Sequence, residues 1–393
     1  MQYNFDTIVD RRGSCCIKYD DCISAFGTDD LLPMWIADMD FPAPGFITEA
    51  IERRAAHPVY GYGIRDGHYY DAIIDWVGRR NGWKIEREWI DFAPGVVAGF
   101  VFAFRALSGE GDGIAILPPT YPPFAAQIAA NDRRVVNSPM KFNGESYEID
   151  FEDLDRRLDD AAVLLFCNPH NPTGRVFTRE ELDRVGQLCC EHDVMIVSDE
   201  IHSDLVQKPY HHIHIASLRP EYAERTVTLI APTKTFNIAG LSTSVAIAPG
   251  EETRRRLRRE LDRYHVDQGN VFGTAALVAA YNEGEQWLDE LLEYVGGNME
   301  LVCSFFRDNM PEVKCRPSQG TYLMWLDFRG LGMTHERLRE FLVCRARVGL
   351  NDGELFGKEG RGFMRINLAT SRAMVREALD RILHAWREYR DEK

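Results

Sequence analysis

Five short runs in the middle of the chain, residues 114–117, 162–166, 194–197, 226–230 and 244–248, are aliphatic almost throughout and bounded by turn residues. Continuous rather than alternating hydrophobicity signals burial on both faces, as in a mostly parallel sheet covered by helices. Between two of the runs, Thr178-Arg-Glu-Glu sets an N-cap threonine three residues before a glutamate. That capping box opens a helix running to about residue 192. The pattern is α/β and three-layered. After residue 298 the character changes. A helical stretch over 298–309, a strand over 321–327, a helix over 335–345, a strand over 363–367 and a terminal helix read as a smaller α+β domain.

Length and composition narrow this picture. A chain of 393 residues is too long for one simple core and suits two or three domains. No apolar run approaches the ~20 residues of a membrane span. The start, Met1-Gln-Tyr-Asn-Phe-Asp, has neither a basic n-region nor an apolar h-region, so a cytoplasmic protein without a signal peptide is expected. A formal charge of −15 argues against non-specific nucleic-acid binding. The basic run Arg254-Arg-Arg-Leu-Arg-Arg259 is bracketed by glutamates and reads as the solvated face of a helix. Nine scattered cysteines without a C-x-x-C give neither a disulfide framework nor a zinc site. His211, His212 and His214 cluster without a second ligand group at metal spacing, and no metal is expected.

The chemistry sits in three loops. Lys234 follows the run 226–230, Asp199 follows 194–197, and Asn171, in Asn168-Pro-His-Asn-Pro-Thr-Gly174, follows 162–166. Ligands of open α/β sheets bind beyond the carboxyl ends of strands, so residues far apart in sequence can converge there. A lone lysine after a strand is ordinarily a surface charge, and a lone aspartate there is ordinarily a helix N-cap. Together, an amine that burial can make nucleophilic, a carboxylate and an amide suit a pyridoxal phosphate (PLP) site. The lysine forms a Schiff base, the aspartate keeps the pyridine nitrogen protonated, and the amide binds the ring's phenolate oxygen.

With these motifs the chain resembles the fold-type I PLP-dependent enzymes of the class I/II aminotransferase superfamily, and within them the cystathionine β-lyase-like (bacterial C–S lyase) branch. The resemblance runs nearly the whole length. It is carried by Met34-Trp-Ile-Ala-Asp-Met-Asp-Phe41, Tyr60-Gly-Tyr-Gly63, Pro119-Thr-Tyr-Pro-Pro-Phe124, the Asn168–Gly174 loop, Ser198-Asp-Glu-Ile-His202, Thr233-Lys-Thr-Phe-Asn237, Gly320-Thr-Tyr-Leu-Met-Trp-Leu326 and Met364-Arg-Ile-Asn367. It implies a three-layer α/β/α PLP-dependent transferase-like large domain with a mostly parallel sheet over 49–287. A smaller α+β domain would be built from 1–48 and 288–393.

Carried over motif by motif, the resemblance makes Lys234 the Schiff-base lysine and the base that moves the Cα proton. Asp199 pairs with the pyridinium and Asn171 with the ring oxygen. Tyr121 stacks on the ring, and His202 stands where many aminotransferases carry a tyrosine that reaches the phenolate. Backbone N–H groups of Val96 and Val97, at a helix start, would hold the phosphate together with Thr233, and Tyr62 would reach over from a partner subunit. Arg365 would clamp the substrate carboxylate with help from the backbone of Ala37. Asn168 reads as a turn former, and Trp35, Tyr322 and Trp325 as core or pocket wall. Two positions depart from the aminotransferase pattern: Ala231 replaces a common serine, and Ser242 replaces an arginine that offsets the phosphate charge.

The resulting expectation is a homodimeric C–S β-lyase acting on an amino acid with a sulfur leaving group, such as cystathionine. The same residues serve an aminotransferase, so the motifs leave that alternative open. A regulator that binds a partner protein is a third reading, with no motif that demands it.

Overall fold

The computed structural model describes residues 2–392. A seven-stranded sheet forms from β1 (Ile90–Ala93), β2 (Gly113–Ile116), β3 (Arg134–Asn137), β4 (Val163–Cys167), β5 (Met195–Asp199), β6 (Thr226–Ile230) and β7 (Ser244–Ile247), in the order β1-β7-β6-β5-β4-β2-β3. β7 runs antiparallel to both its neighbours, and the pairs from β6 to β3 are all parallel. All five predicted runs are strands of this sheet, with ends shifted by at most two residues. β1 and β3, at its two edges, were not predicted.

The longer helices along the chain include α1 (Gly45–Ala55), α2 (Gly67–Asn81), α3 (Val96–Leu107), α4 (Arg179–Glu191), α5 (Val271–Glu283), α6 (Glu285–Asn309) and α7 (Arg372–Asp391). α3 packs on one face, where Phe100 and Phe104 meet Val163, Leu165, Val197 and Leu229. Gly99 permits the close approach: a Cβ there would lie 2.9 Å from a Leu229 methyl. α4 covers the other face, with Leu182, Val185 and Leu188 against Leu164, Phe166 and Ile196. Strand alternation thus sends 197 and 199 toward α3, and 196, 198 and 200 toward α4. The predicted capping box is present: Thr178 Oγ1 accepts from Glu181 N, and the Glu181 carboxylate accepts from Thr178 N.

A three-stranded antiparallel sheet, β8 (Leu323–Asp327), β9 (Asn351–Asp352) and β10 (Phe363–Asn367), has β10 at its centre. Here the sequence reading needs two corrections. The helix expected over 298–309 starts at Glu285, because Gly296 and Gly297 interrupt its apolar pattern without breaking it. The helix expected over 335–345 is α-helical only over His335–Glu340 and then widens into a π-helical turn, Phe341–Arg345. The basic run lies on the helix Glu251–Arg263, with Arg255 paired to Glu252 and Arg258 to Asp91. No disulfide forms among the nine cysteines. Among the described residues no helix is long and apolar enough to cross a membrane.

Candidate active site

Cys167, Asp199 and Leu229 are in register at the carboxyl ends of β4, β5 and β6. The loops that leave these ends bring the three sequence motifs together. Lys234 stands on the short helix Pro232–Thr235 directly after β6, and its Nζ donates to the carbonyl of Ala37. Desolvation lowers its pKa to about 8; Asp38 and Asp199 oppose that shift and Arg365 adds to it. A quarter or more of its amines are therefore neutral near pH 8, as a nucleophilic lysine requires.

Asp199 is 4% exposed. Burial raises its pKa to about 7, against the opposing pull of the Ile201 N–H on Oδ1 at 3.2 Å; neighbouring Glu200 adds to the rise and Lys234 opposes it. Beyond that backbone donor, no hydrogen-bond donor reaches it among the described residues. Tyr121 is close enough to Asp199 and Arg365 for their charges to act on its hydroxyl, which burial pushes upward. His202 is buried and neutral, pushed down to about 3 by burial and then by Lys234 and Arg365. Its Nδ1 has no hydrogen-bond partner among the described residues, and its ring meets Tyr322 edge-on at 6.1 Å.

Arg365, in the middle of β10, is 3% exposed, and burial lowers its pKa to about 10. It donates from Nη1 to Asn171 Oδ1 and from Nη2 to the Trp35 carbonyl, both at 2.9 Å, while Nε has no partner among the described residues. Asn171 thus spends its oxygen on Arg365 and keeps its Nδ2 donors for something else. Val96 opens α3 behind Gly95, whose φ of 105° suits glycine, and no side chain caps the helix. Thr233 is buried beside Lys234. Tyr62 is 95% exposed, on the surface of the chain. Ser242 follows a 3-10 turn at a φ of 47° and supplies no cation.

The segment 35–38 forms one wall, and its four carbonyls all point at site side chains. Trp35 O accepts from Arg365, Ile36 O and Asp38 O from Asn367 Nδ2 at 2.6 Å each, and Ala37 O from Lys234 and from Tyr322 Oη at 2.8 Å. From outside, Arg11 grips Asp38 and Asp40, and the buried Lys18 pairs with Asp40 at 2.7 Å. Tyr322, read from sequence as pocket wall, therefore touches the site's hydrogen-bond network, and Asn367, Asp38 and Arg11 were not singled out at all. Trp35 sends its indole away from the site, to the Lys18 carbonyl. Trp325 is buried and stacked on Phe363. Asn168 ties the loop at β4 to Phe177 N. The histidine cluster also needs correction: His212 and His214 do have a shared acidic neighbour, Glu200, whereas His211 is exposed.

Residues 34–382 match the family described as aminotransferase class I and II. Cystathionine beta-lyase PatB of Bacillus subtilis (strain 168) is 42% identical over 381 residues, covering 96% of this chain and 98% of that protein. Among solved structures, cystalysin from Treponema denticola, which contains a pyridoxal 5'-phosphate cofactor, superposes with a TM-score of 0.96 at 33% identity, over 99% of this chain and 100% of that one. A PLP-bound protein from Clostridium difficile 630, described as an aminotransferase, gives 0.96 at 41% identity, over 98% and 100%. Likeness of this extent places the chain in the class I and II aminotransferase family, on the branch that holds the cystathionine β-lyases.

Proposed function

We propose that the protein is a PLP-dependent C–S β-lyase that converts cystathionine or a related cysteine S-conjugate to a thiol, pyruvate and ammonia. The observation that carries this reading is the near full-length identity to a cystathionine β-lyase, set over a site with a desolvated lysine.

The residues present fit the cofactor. Asp199 has one backbone donor and lone pairs to spare for a protonated ring nitrogen, and the Asn171 amide is free to donate to the ring oxygen. The first N–H groups of α3, at Val96 and Val97, with the Thr233 hydroxyl, suit a phosphate. His202 Nδ1 supplies one more buried polar atom in search of a partner. When bound, PLP supplies an electron sink for the charge that develops on the substrate's Cα.

The chain's own residues do the rest. Arg365 can turn its unpartnered Nε and one Nη toward the substrate α-carboxylate as a fork, with the Ala37 backbone alongside. Lys234, freed from the carbonyl of Ala37, takes the Cα proton on Nζ. The pair left on Cα becomes a Cα=Cβ bond as the Cβ–S bond breaks with its own pair leaving on sulfur, and water taken up afterwards gives pyruvate and ammonia. Asp199 would hold the proton of the ring nitrogen, and Tyr121 would cover the ring. The buried walls of Tyr322 and His202 exclude water that would compete for the proton.

A homodimer completes this reading. Val59, Tyr60, Tyr62 and Ile64 are all strongly exposed in one stretch, an apolar patch suited to a second copy. Tyr62 would then complete the partner's phosphate site. The division at 49–287 against 1–48 with 288–393 is kept as the domain reading. Aminotransfer is the second reading, favoured by the description of the Clostridium difficile relative. Pyruvate and homocysteine released in equal amounts from L-cystathionine, and lost in Lys234→Ala, support the lyase. Glutamate formed from 2-oxoglutarate without pyruvate establishes the aminotransferase instead.

A further inference from the structure

β5 ends in Asp199 and Glu200 follows directly, its N–H still bonded to the Leu229 carbonyl; both carboxylates are buried, and the alternation of extended backbone sends them to opposite faces of the sheet. Asp199 faces the proposed cofactor. Glu200 faces the loop that carries the histidine cluster, which the mechanism above does not use. Although wholly buried, Glu200 is fully partnered. Ser198 Oγ donates to Oε1 at 2.7 Å, His212 Nε2 to Oε2 at 2.6 Å, and His214 Nδ1 to the same oxygen. His214 Nε2 accepts from Asn81 Nδ2 at 3.1 Å, and its ring packs on Trp83 at 4.7 Å.

The cluster is spaced for hydrogen bonds rather than for a cation: tetrahedral bonds of about 2.1 Å would hold ligand atoms about 3.4 Å apart, whereas His212 Nε2 and Glu200 Oε2 stand at 2.6 Å. Nor is it a tie that needs a charge, since an amide could make the same three contacts. What the charge adds is a fixed anion one residue behind Asp199, in an interior where screening is weak.

We infer that Glu200, held by His212 and His214, is a positioning residue for Asp199, its fixed negative charge strengthening Asp199's hold on the proton of the cofactor's ring nitrogen. The inference rests on the assignment of Asp199 made above. The other charged and titratable groups packed around the pair are few. Asp204 lies against His212, tied to Thr235 and Trp76 with Arg80 nearby. Lys234, Arg365 and Tyr121 lie on the cofactor side, and the buried Cys167, in register with Asp199 on β4, is held as a thiol by burial and by the charges of both acids. The two acids are separated by their partners: burial alone would raise Glu200, but His214 and His212 hold it well below the carboxylate range, while Asp199 is raised. The proton therefore goes to Asp199's side of the sheet. Burial pushes the His212 imidazole down, against Glu200, to which its Nε2 donates.

The test is the pH midpoint of the bound cofactor's visible absorption in the holoenzyme. Glu200→Gln can keep all three contacts, its oxygen accepting from both imidazoles and its amide donating to Ser198. It loses only the charge, so the midpoint falls by about one pH unit. His212→Gln keeps a neutral donor and leaves the midpoint where it is. Asn81→Lys keeps a donor on His214 Nε2 while adding a positive charge, and lowers the midpoint without touching Glu200. That variant decides the matter if Glu200→Gln does not fold. An unmoved midpoint in Asn81→Lys, or in a folded Glu200→Gln, makes the cluster a structural tie and overturns the inference. Asp199→Asn separates the two levels. If it leaves the cofactor spectrum unchanged, the assignment of Asp199 fails; if it changes the spectrum while the Glu200 variant does not, only this inference fails.

Discussion

Asp199 is costly to the cofactor-free fold, and replacing it should stabilise that form in a pH-dependent way. The carboxyl is 4% exposed, accepts one backbone hydrogen bond and sits beside Glu200, so its pKa rises from 3.8 to about 7. The folded state therefore binds this proton more tightly than the unfolded chain. Stability from this group is full below the unfolded value, falls as pH rises through the window between the two, and reaches its minimum above about 7. Three pH units correspond to roughly 4 kcal/mol lost at pH 8. Asparagine does not titrate, but its buried amide gives back about 1–2 kcal/mol through unmade hydrogen bonds. Asp199→Asn apoprotein should be about 2 kcal/mol more stable than wild type near pH 8. Because the amide cost is the same at both pH values, the advantage should shrink by about 2.5 kcal/mol on going to pH 5. Urea unfolding of both apoproteins at the two pH values measures this directly. A stability difference that does not change with pH refutes the buried, proton-hungry carboxylate. The same variant should bind the cofactor poorly.

Arg365→Lys keeps the charge but loses the fork, so KM for the amino-acid substrate should rise roughly 30- to 150-fold, the equivalent of about 2–3 kcal/mol; an unchanged KM in steady-state assays removes Arg365 from the carboxylate. Gly174→Ala should cost about 2–4 kcal/mol in denaturant unfolding, because φ is 69° and the new Cβ would run into Ser318 Oγ and Cβ. Adding Ser318→Gly should recover the steric part and leave about 1 kcal/mol of backbone strain. Arg11→Met leaves the Asp38 and Asp40 carboxylates short of a partner, so the melting temperature should fall and KM should rise more than kcat falls. Partial recovery with added guanidinium would confirm that the lost group is the cation. Mixed dimers of Lys234→Ala and Tyr62→Ala protomers, each inactive alone, should regain activity through one intact site per dimer; no recovery contradicts a shared site.

What could be read from the chain follows from where the signal lay. β6 and β10 announced themselves because buried strands have apolar side chains on both faces, and α4 because a capping box is local chemistry. β1 and β3 were hidden by their place at the sheet edges, where Asp91, paired with Arg258, and the exposed Arg134 break the apolar run. Lys234, Asp199 and Asn171 come together because three parallel strands end side by side, as their places after apolar runs foretold, whereas Arg365 reaches Asn171 from the middle of β10, a placement that only the resemblance implied. Tyr322, Asn367 and Arg11 were passed over for a different reason. They act on backbone carbonyls of 35–38, or on the acids beside them, and a carbonyl has no residue type to betray it. Glu200 was overlooked because its partners lie twelve and fourteen residues ahead, on the face away from the lysine.

The wall at 35–38 also sets a timetable for synthesis. Three of its four carbonyls, at 35, 36 and 38, are satisfied by Arg365 and Asn367, which follow Trp35 and Asp38 by 330 and 329 residues. At roughly 5–20 residues per second, that leaves about 15–65 s in which the early segment has emerged but its late partners have not. A nascent chain can build β4 to β6 and present Lys234 and Asp199 before the wall exists. Capture of the cofactor can thus come first, and the grip on an amino acid's carboxylate last, when β10 inserts between β8 and β9.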